Sequence, residues 1–116
     1  MAGPSVFGKR LREARLKAGL SQKKLGIVAG IDEFSSSPRI NQYERGKHCP
    51  DYATAERLAK VLNVPAPFLF ARDDALAKVI MMVGKLSDHK IRALLRHIES
   101  PIATRSKSAK PRTKRK

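Results

Sequence analysis

Three things are scarce in this sequence: cysteine, acidic residues and long apolar runs. The single cysteine, Cys49, excludes an intramolecular disulfide and any zinc site built from several cysteines, and it suits a reducing compartment. No apolar run approaches the roughly 20 residues that a membrane helix needs. The N-terminal segment "MAGPSVFGKR" also lacks the apolar core of a signal peptide. We therefore expect a soluble cytoplasmic protein with no membrane partner.

The charge is strongly one-sided. The 116 residues include 25 Lys and Arg against 10 Asp and Glu, a formal charge of +15 at pH 7. Residues 105–116 carry seven of the basic residues and no acidic one, yet the rest of the chain still has 18 against 10. A basic body favours a polyanionic partner, with nucleic acid ahead of a membrane surface.

The spacing of apolar residues predicts helices and no strands. A first helix starts near Phe7 and stops at Gly19, and a second starts after Ser21 as N-cap and ends near Gly30. A third helix is predicted to start at Ser37 as N-cap, with Pro38 at its first position, and to end at Gly46. Four further helices are predicted: one capped by Asp51 with Tyr52, Ala55, Leu58, Ala59 and Leu62 as its buried stripe; one opened by Pro67 that buries Phe68, Leu69 or Phe70; one capped by Asp73 or Asp74; and one capped by Ser87.

These elements suggest three segments. Residues 1–70 would form the main domain, and residues 71–100 a C-terminal helical hairpin that is a candidate dimerisation element. Residues 101–116 are rich in Ser, Lys, Arg and Pro with almost no apolar residue, so we expect a disordered basic tail. Such a tail would add phosphate contacts that do not depend on base sequence, or would merely aid solubility.

Two short helices joined by a turn behind a basic helix are the arrangement in which a reading helix enters the DNA major groove. The segments "FGKRLREARLKAGLSQKKLGIVAGI", "RINQYERGK" and "PDYATAERLAKVLNV" resemble the DNA-binding domain of the Cro and lambda-repressor-like (xenobiotic response element, XRE) helix-turn-helix regulators. The resemblance runs from about Phe7 to Phe70. It implies an all-α fold, with a lambda-repressor-like five-helix domain ahead of the predicted hairpin.

One departure from that family concerns the turn. A helix-turn-helix usually joins its helices with three to four residues, whereas Gly30 to Ser37 intervene here. We therefore expect "DEFSS" to be an insertion that lengthens the turn, with Ser35 and Ser36 in a loop.

Side-chain chemistry and the resemblance together predict the DNA contacts. Arg suits the two acceptors of guanine, whereas Asn and Gln suit adenine, so we expect base reading by Ser37, Arg39, Asn41 and Gln42, with Arg39 foremost. We expect contacts to the DNA backbone from Ser21, Gln22, Arg45 and Lys47. The resemblance also implies a structural ion pair between Arg15 and Glu44.

No catalytic grouping is visible. His48 and Cys49 supply at most half a metal site, so we expect no metal, no cofactor, no small-molecule ligand and no enzyme activity. The predicted function is a sequence-specific regulator of transcription that binds double-stranded DNA at the nucleoid. We expect it to be a repressor that occludes its operator as a homodimer. The alternative is a protein-interaction module, of the antitoxin or coactivator-like kind, in which DNA binding is secondary.

The sequence does not decide what the sixth predicted helix packs against. Val79, Ile80, Met81, Met82 and Val83 give it apolar residues on more than one side. The helix would therefore either lie between the domain and the seventh helix or form a dimer interface.

Overall fold

The computed structural model describes residues 5–100; the basic segment after residue 100, predicted to be a disordered tail, lies outside that range. Within residues 5–100 the chain forms six α-helices and one 3₁₀ helix, with no strand. The all-α prediction is confirmed. The elements are α1 (Val6–Ala18), α2 (Gln22–Val28), α3 (Glu33–Glu44), α4 (Tyr52–Leu62), the 3₁₀ helix (Ala66–Phe70), α5 (Asp74–Val83) and α6 (Asp88–Ile98).

Most helix ends lie where local chemistry predicts them. The Ser21 hydroxyl accepts from the Lys24 N–H at 2.9 Å and starts α2, and Gly19 ends α1 with φ of 73° in the left-handed region. The same kind of side-chain cap starts α4 at Asp51, α5 at Asp73 and α6 at Ser87. Hydrogen bonds from the side chain and the backbone N–H of Thr54 lower the pKa of Asp51, so this cap is ionised at neutral pH.

The predicted start of α3 was wrong. The helix begins at Glu33, with Asp32 as its N-cap accepting from the Phe34 N–H at 3.0 Å, so Ser37 is no cap and Pro38 is not the first helical residue. Only four residues, 29–32, separate α2 from α3. The turn has the usual length, and the supposed insertion is an additional first turn of α3.

Pro38 explains why the local signals were misleading. Proline has no N–H for the carbonyl four residues earlier, and its ring crowds that carbonyl, so a helix-interior proline usually costs about 3 kcal/mol or more. Here Pro38 lies inside α3 on an exposed side, where the carbonyl that loses its partner belongs to the exposed Phe34. Ser36, fully buried against α2, keeps this segment helical despite the proline.

The core is built from α1 to α4 and the 3₁₀ helix, with a smaller contribution from α5. One predicted core residue, Tyr52, lies largely outside it at 61% exposure. Of the three residues predicted for the 3₁₀ helix, Phe68 and Leu69 are buried, and Phe70 contacts the ring of Phe7 from a more exposed position. The largest fully buried apolar side chains are Leu11, Leu25, Ile40, Leu58 and Leu69.

A buried arginine fastens α1 to the start of α5. Arg10 is 4% exposed and donates from Nε to the Ala71 carbonyl at 2.8 Å. Its Nη2 donates to the Arg72 carbonyl at 3.1 Å and to Asp74 Oδ1 at 3.0 Å. Ala77 of α5 is buried in the same core. The first compact unit therefore runs to Gly84 and includes α5, beyond the boundary after residue 70 that the sequence suggested.

The second unit starts at Lys85 and contains α6. This helix is amphipathic, with Ile91, Leu94, Leu95 and Ile98 at helical spacing, but none of its residues is buried. Of the helices between residues 5 and 100, none is long and apolar enough to cross a bilayer.

Candidate nucleic-acid interface

α3 is seated directly against α2. Gly26 is the contact point: a Cβ at this position would lie 2.6 Å from the Ser36 Cβ, closer than real atoms approach. Gly30, at φ of 95°, turns the chain, and the Ile31 N–H closes the turn on the Gly26 carbonyl at 2.8 Å. The Ser36 hydroxyl donates to the Asp32 carbonyl at 2.8 Å. The start of α3 is thus fixed by close packing and by hydrogen bonds.

The C-terminal end of α3 is held by an ion pair to α1. Arg15 donates from Nε to Glu44 Oε2 at 2.6 Å and from Nη2 to Oε1 at 3.1 Å. Its remaining nitrogen, Nη1, donates to the Leu20 carbonyl at 2.9 Å. Both charged residues are buried, Arg15 at 8% exposure and Glu44 at 5%. The two residues for which the resemblance implied a pair therefore form one in the structure.

Gln22 joins this network from α2. Its Nε2 donates to Glu44 Oε1 at 3.1 Å and to Asn41 Oδ1 at 3.2 Å, which uses both amide hydrogens. In this arrangement its side chain links α2 to α3 instead of offering a donor to a DNA phosphate. Because Asn41 accepts through Oδ1, its Nδ2 donor is turned away from Gln22. This link was not predicted from the sequence, because it depends on where α3 lies.

The predicted base-reading residues lie in the second and third turns of α3, one turn later than predicted. Arg39 is exposed, and the side chains of Ser37, Asn41 and Gln42 are half-buried. Successive residues of a helix are about 100° apart around its axis, so Ser37 and Arg39 lie about 160° apart, near opposite edges of the outer side. Asn41 and Gln42 lie between them, with Pro38 in the middle. Two amide side chains therefore flank the centre of this outer side, and Arg39 lies at its margin.

Basic side chains surround this helix. Arg45 and Lys47, just beyond the end of α3, are exposed, as are Lys23 and Lys24 on α2. Only Lys23 has an acidic neighbour among them, with Glu33 Oε2 at 4.0 Å from its Nζ. Exposed basic side chains of this kind can neutralise the phosphates of a nucleic-acid backbone.

Phe34, on the outer side of α3, was not predicted as a site residue, because the predicted helix started only after Ser37. The sequence signal that could have identified it is Asp32, which belongs to the residue types preferred at N-caps. In residues 5–100 no group of three His, Cys, Asp or Glu side chains is arranged to hold a metal ion.

Residues 11–69, just over half of the chain, match the helix-turn-helix family HTH_3. The chain belongs to this family. The predicted resemblance to the helix-turn-helix proteins of the XRE type is confirmed.

Curated relatives of this helix-turn-helix protein are named HTH-type transcriptional regulators. It is 35% identical over 72 residues to the HTH-type transcriptional regulator ImmR of Bacillus subtilis (strain 168), a match covering 62% of this chain and 54% of ImmR. It is 34% identical over 64 residues to the SPbeta prophage-derived uncharacterized regulator YonR of the same strain, with 55% and 56% covered. The matches thus span about half the length of these curated relatives.

A solved structure extends the likeness. The crystal structure of the transcriptional regulator BswR has 47% sequence identity and a TM-score of 0.73, covering 84% of this chain and 96% of that chain. This similarity extends beyond the residues of the family match, and it supports the lambda-repressor-like fold.

Proposed function

We propose that this protein is a sequence-specific repressor that occludes its operator as a dimer. The proposal rests on how α3 is held. Close packing at Gly26 fixes one end of the helix and the Arg15–Glu44 pair fixes the other, while polar side chains of α3 face outward. A fixed helix with an amide-rich outer side is suited to base edges in the major groove. Occlusion needs only occupancy of the operator, so it requires nothing beyond DNA binding.

The proposed contacts divide into two classes. Ser37, Arg39, Asn41 and Gln42 would read bases. Ser21, Arg45 and Lys47 would hold phosphates. Because the Gln22 side chain is engaged within the protein, its phosphate contact would come from its backbone N–H, which has no partner within α2.

Selection of bound duplexes from a random pool at about 0.15 M salt tests this division. The wild-type protein should yield a defined motif. Arg39→Ala should weaken the binding free energy for that motif by about 1–3 kcal/mol and relax the preference for guanine at one position. Lys47→Ala is the matched control, because loss of a phosphate contact should weaken binding to all sequences and lower the salt slope by about 1. Retention of DNA with no motif would contradict the proposal.

The proposed dimer uses the exposed apolar sides of α5 and α6. On α5, Leu76, Val79 and Met82 are 53%, 52% and 61% exposed, although the helix buries Ala77 on its other side. α6 has 11 residues, too few for a stable isolated helix in water, so its apolar stripe needs a partner. A second copy would cover these surfaces, and two copies of α3 held about 34 Å apart would meet successive major grooves.

The dimer is tested by two substitutions that add the same charge to opposite sides of α6. Leu95→Glu should convert a dimer to a monomer in sedimentation at micromolar protein and weaken binding to paired half-sites. Ala93→Glu, two residues away and therefore on the opposite side of the helix, should leave both unchanged. A wild-type protein that sediments as a monomer with and without DNA would contradict the dimer. Tight binding of an unlike protein to these surfaces would favour the interaction module.

A further inference from the structure

The added first turn of α3 carries the most exposed large apolar side chain in residues 5–100. Phe34 is 86% exposed, whereas the other large apolar side chains reach at most 61%. Its backbone N–H is held by Asp32 Oδ2 at 3.0 Å, so the turn that carries it is a capped part of the helix. Covering this side chain on binding would remove a large apolar surface from water, and the turn that carries it is already ordered.

Phe34 shares its side of the helix with residues already assigned to DNA. Phe34, Pro38, Asn41 and Arg45 are spaced at i, i+4, i+7 and i+11, which places them along one side of α3. The buried residues Ser36, Ile40, Tyr43 and Glu44 lie on the other side. The N-terminal residues of a recognition helix are the ones that reach base edges. Phe34 therefore extends the outer side of α3 by one turn into the groove.

The chemistry of the groove identifies what Phe34 can meet there. Among the base edges of the major groove, the apolar group is the C5-methyl of thymine, and phenylalanine is among the side chains that contact it. Phe34 offers no hydrogen-bond donor for a phosphate or for a guanine acceptor. We propose that Phe34 reads a thymine through its methyl group, at the outer end of the bases read by α3. This inference rests on the proposed sequence-specific binding.

The test replaces thymines by deoxyuridine, which lacks only that methyl group. The wild-type protein and Phe34→Ala are titrated with the selected duplex and with duplexes in which each thymine in turn becomes deoxyuridine. Wild-type affinity should fall roughly fourfold at one thymine, the value of one buried methyl group. Phe34→Ala should bind the parent duplex more weakly and show no further loss at that position. Phe34→Leu, which keeps an apolar contact, should retain part of the sensitivity.

The controls separate the ways in which the idea can fail. Leu16→Ala removes another exposed apolar side chain, 52% exposed on α1, and should keep the wild-type response at every thymine. Equal responses of wild type and Phe34→Ala at every thymine, or a motif without thymine, would overturn the thymine contact and leave the proposed function intact. Absence of any selected motif would overturn the proposed function, and the thymine contact with it.

Discussion

Arg15→Ala should lower the free energy of unfolding by about 3–5 kcal/mol, a large part of the stability of a domain of this size. The substitution leaves Glu44 buried with its charge and without the guanidinium that lies 2.6 Å away. The cost of that unpaired charge exceeds the net value of the pair, because both groups were already desolvated. Urea unfolding of the purified protein measures the change as a lower midpoint at unchanged slope.

Two comparisons isolate the cause. Arg12→Ala removes the same side chain from an exposed position of α1 and should change stability by at most about 0.5 kcal/mol. The double variant Arg15→Met, Glu44→Leu removes both charges and should cost less than Arg15→Ala alone, because no buried charge is left unpaired. Arg15→Ala should also keep the preferred DNA sequence where it remains folded. Normal unfolding combined with an altered motif would show instead that Arg15 acts in recognition.

Local chemistry explains why most of this fold could be predicted from the sequence. Caps such as Ser21, Asp73 and Ser87 bond to N–H groups only three residues away, so their effect is present in the sequence itself. The apolar stripe of α4 is also a local pattern. The Arg15–Glu44 pair spans 29 residues, and only the family resemblance pointed to it.

The start of α3 shows where local signals are insufficient. Asp32 and Ser37–Pro38 are both good helix starts by propensity, and the proline favours the later one. The choice is made by tertiary packing, since only the earlier start buries Ser36 against Gly26. The error then extended to the site: with α3 shortened by a turn, Phe34 was assigned to a loop, and Gln22 had no visible partner.

Gly26→Ala should destabilise the protein by about 1–3 kcal/mol and weaken sequence-specific binding. At an unhindered helix position the same change would stabilise by about 1 kcal/mol, because alanine favours the helix more than glycine does. The new Cβ would lie 2.6 Å from the Ser36 Cβ and 3.0 Å from its Cα, so α2 and α3 must move apart. Thermal or urea unfolding measures the first effect, and titration with the selected duplex measures the second. Lys24→Ala, on the exposed side of α2, is the control and should change neither.

Removing the opposing side chain tests the mechanism. Ser36→Gly alone should destabilise, because it loses a hydroxyl that bonds to the Asp32 carbonyl and adds glycine to a helix. In the double variant Gly26→Ala, Ser36→Gly, the new methyl group occupies space that the Ser36 side chain has vacated. The loss of stability in the double variant should therefore be smaller than the sum of the two single losses, by about 0.5–3 kcal/mol. Strict additivity, or a Gly26→Ala protein more stable than wild type, would show that the two helices absorb a methyl group without moving. DNA binding should recover together with stability, because the same contact that stabilises the fold also sets the position of α3 in the groove.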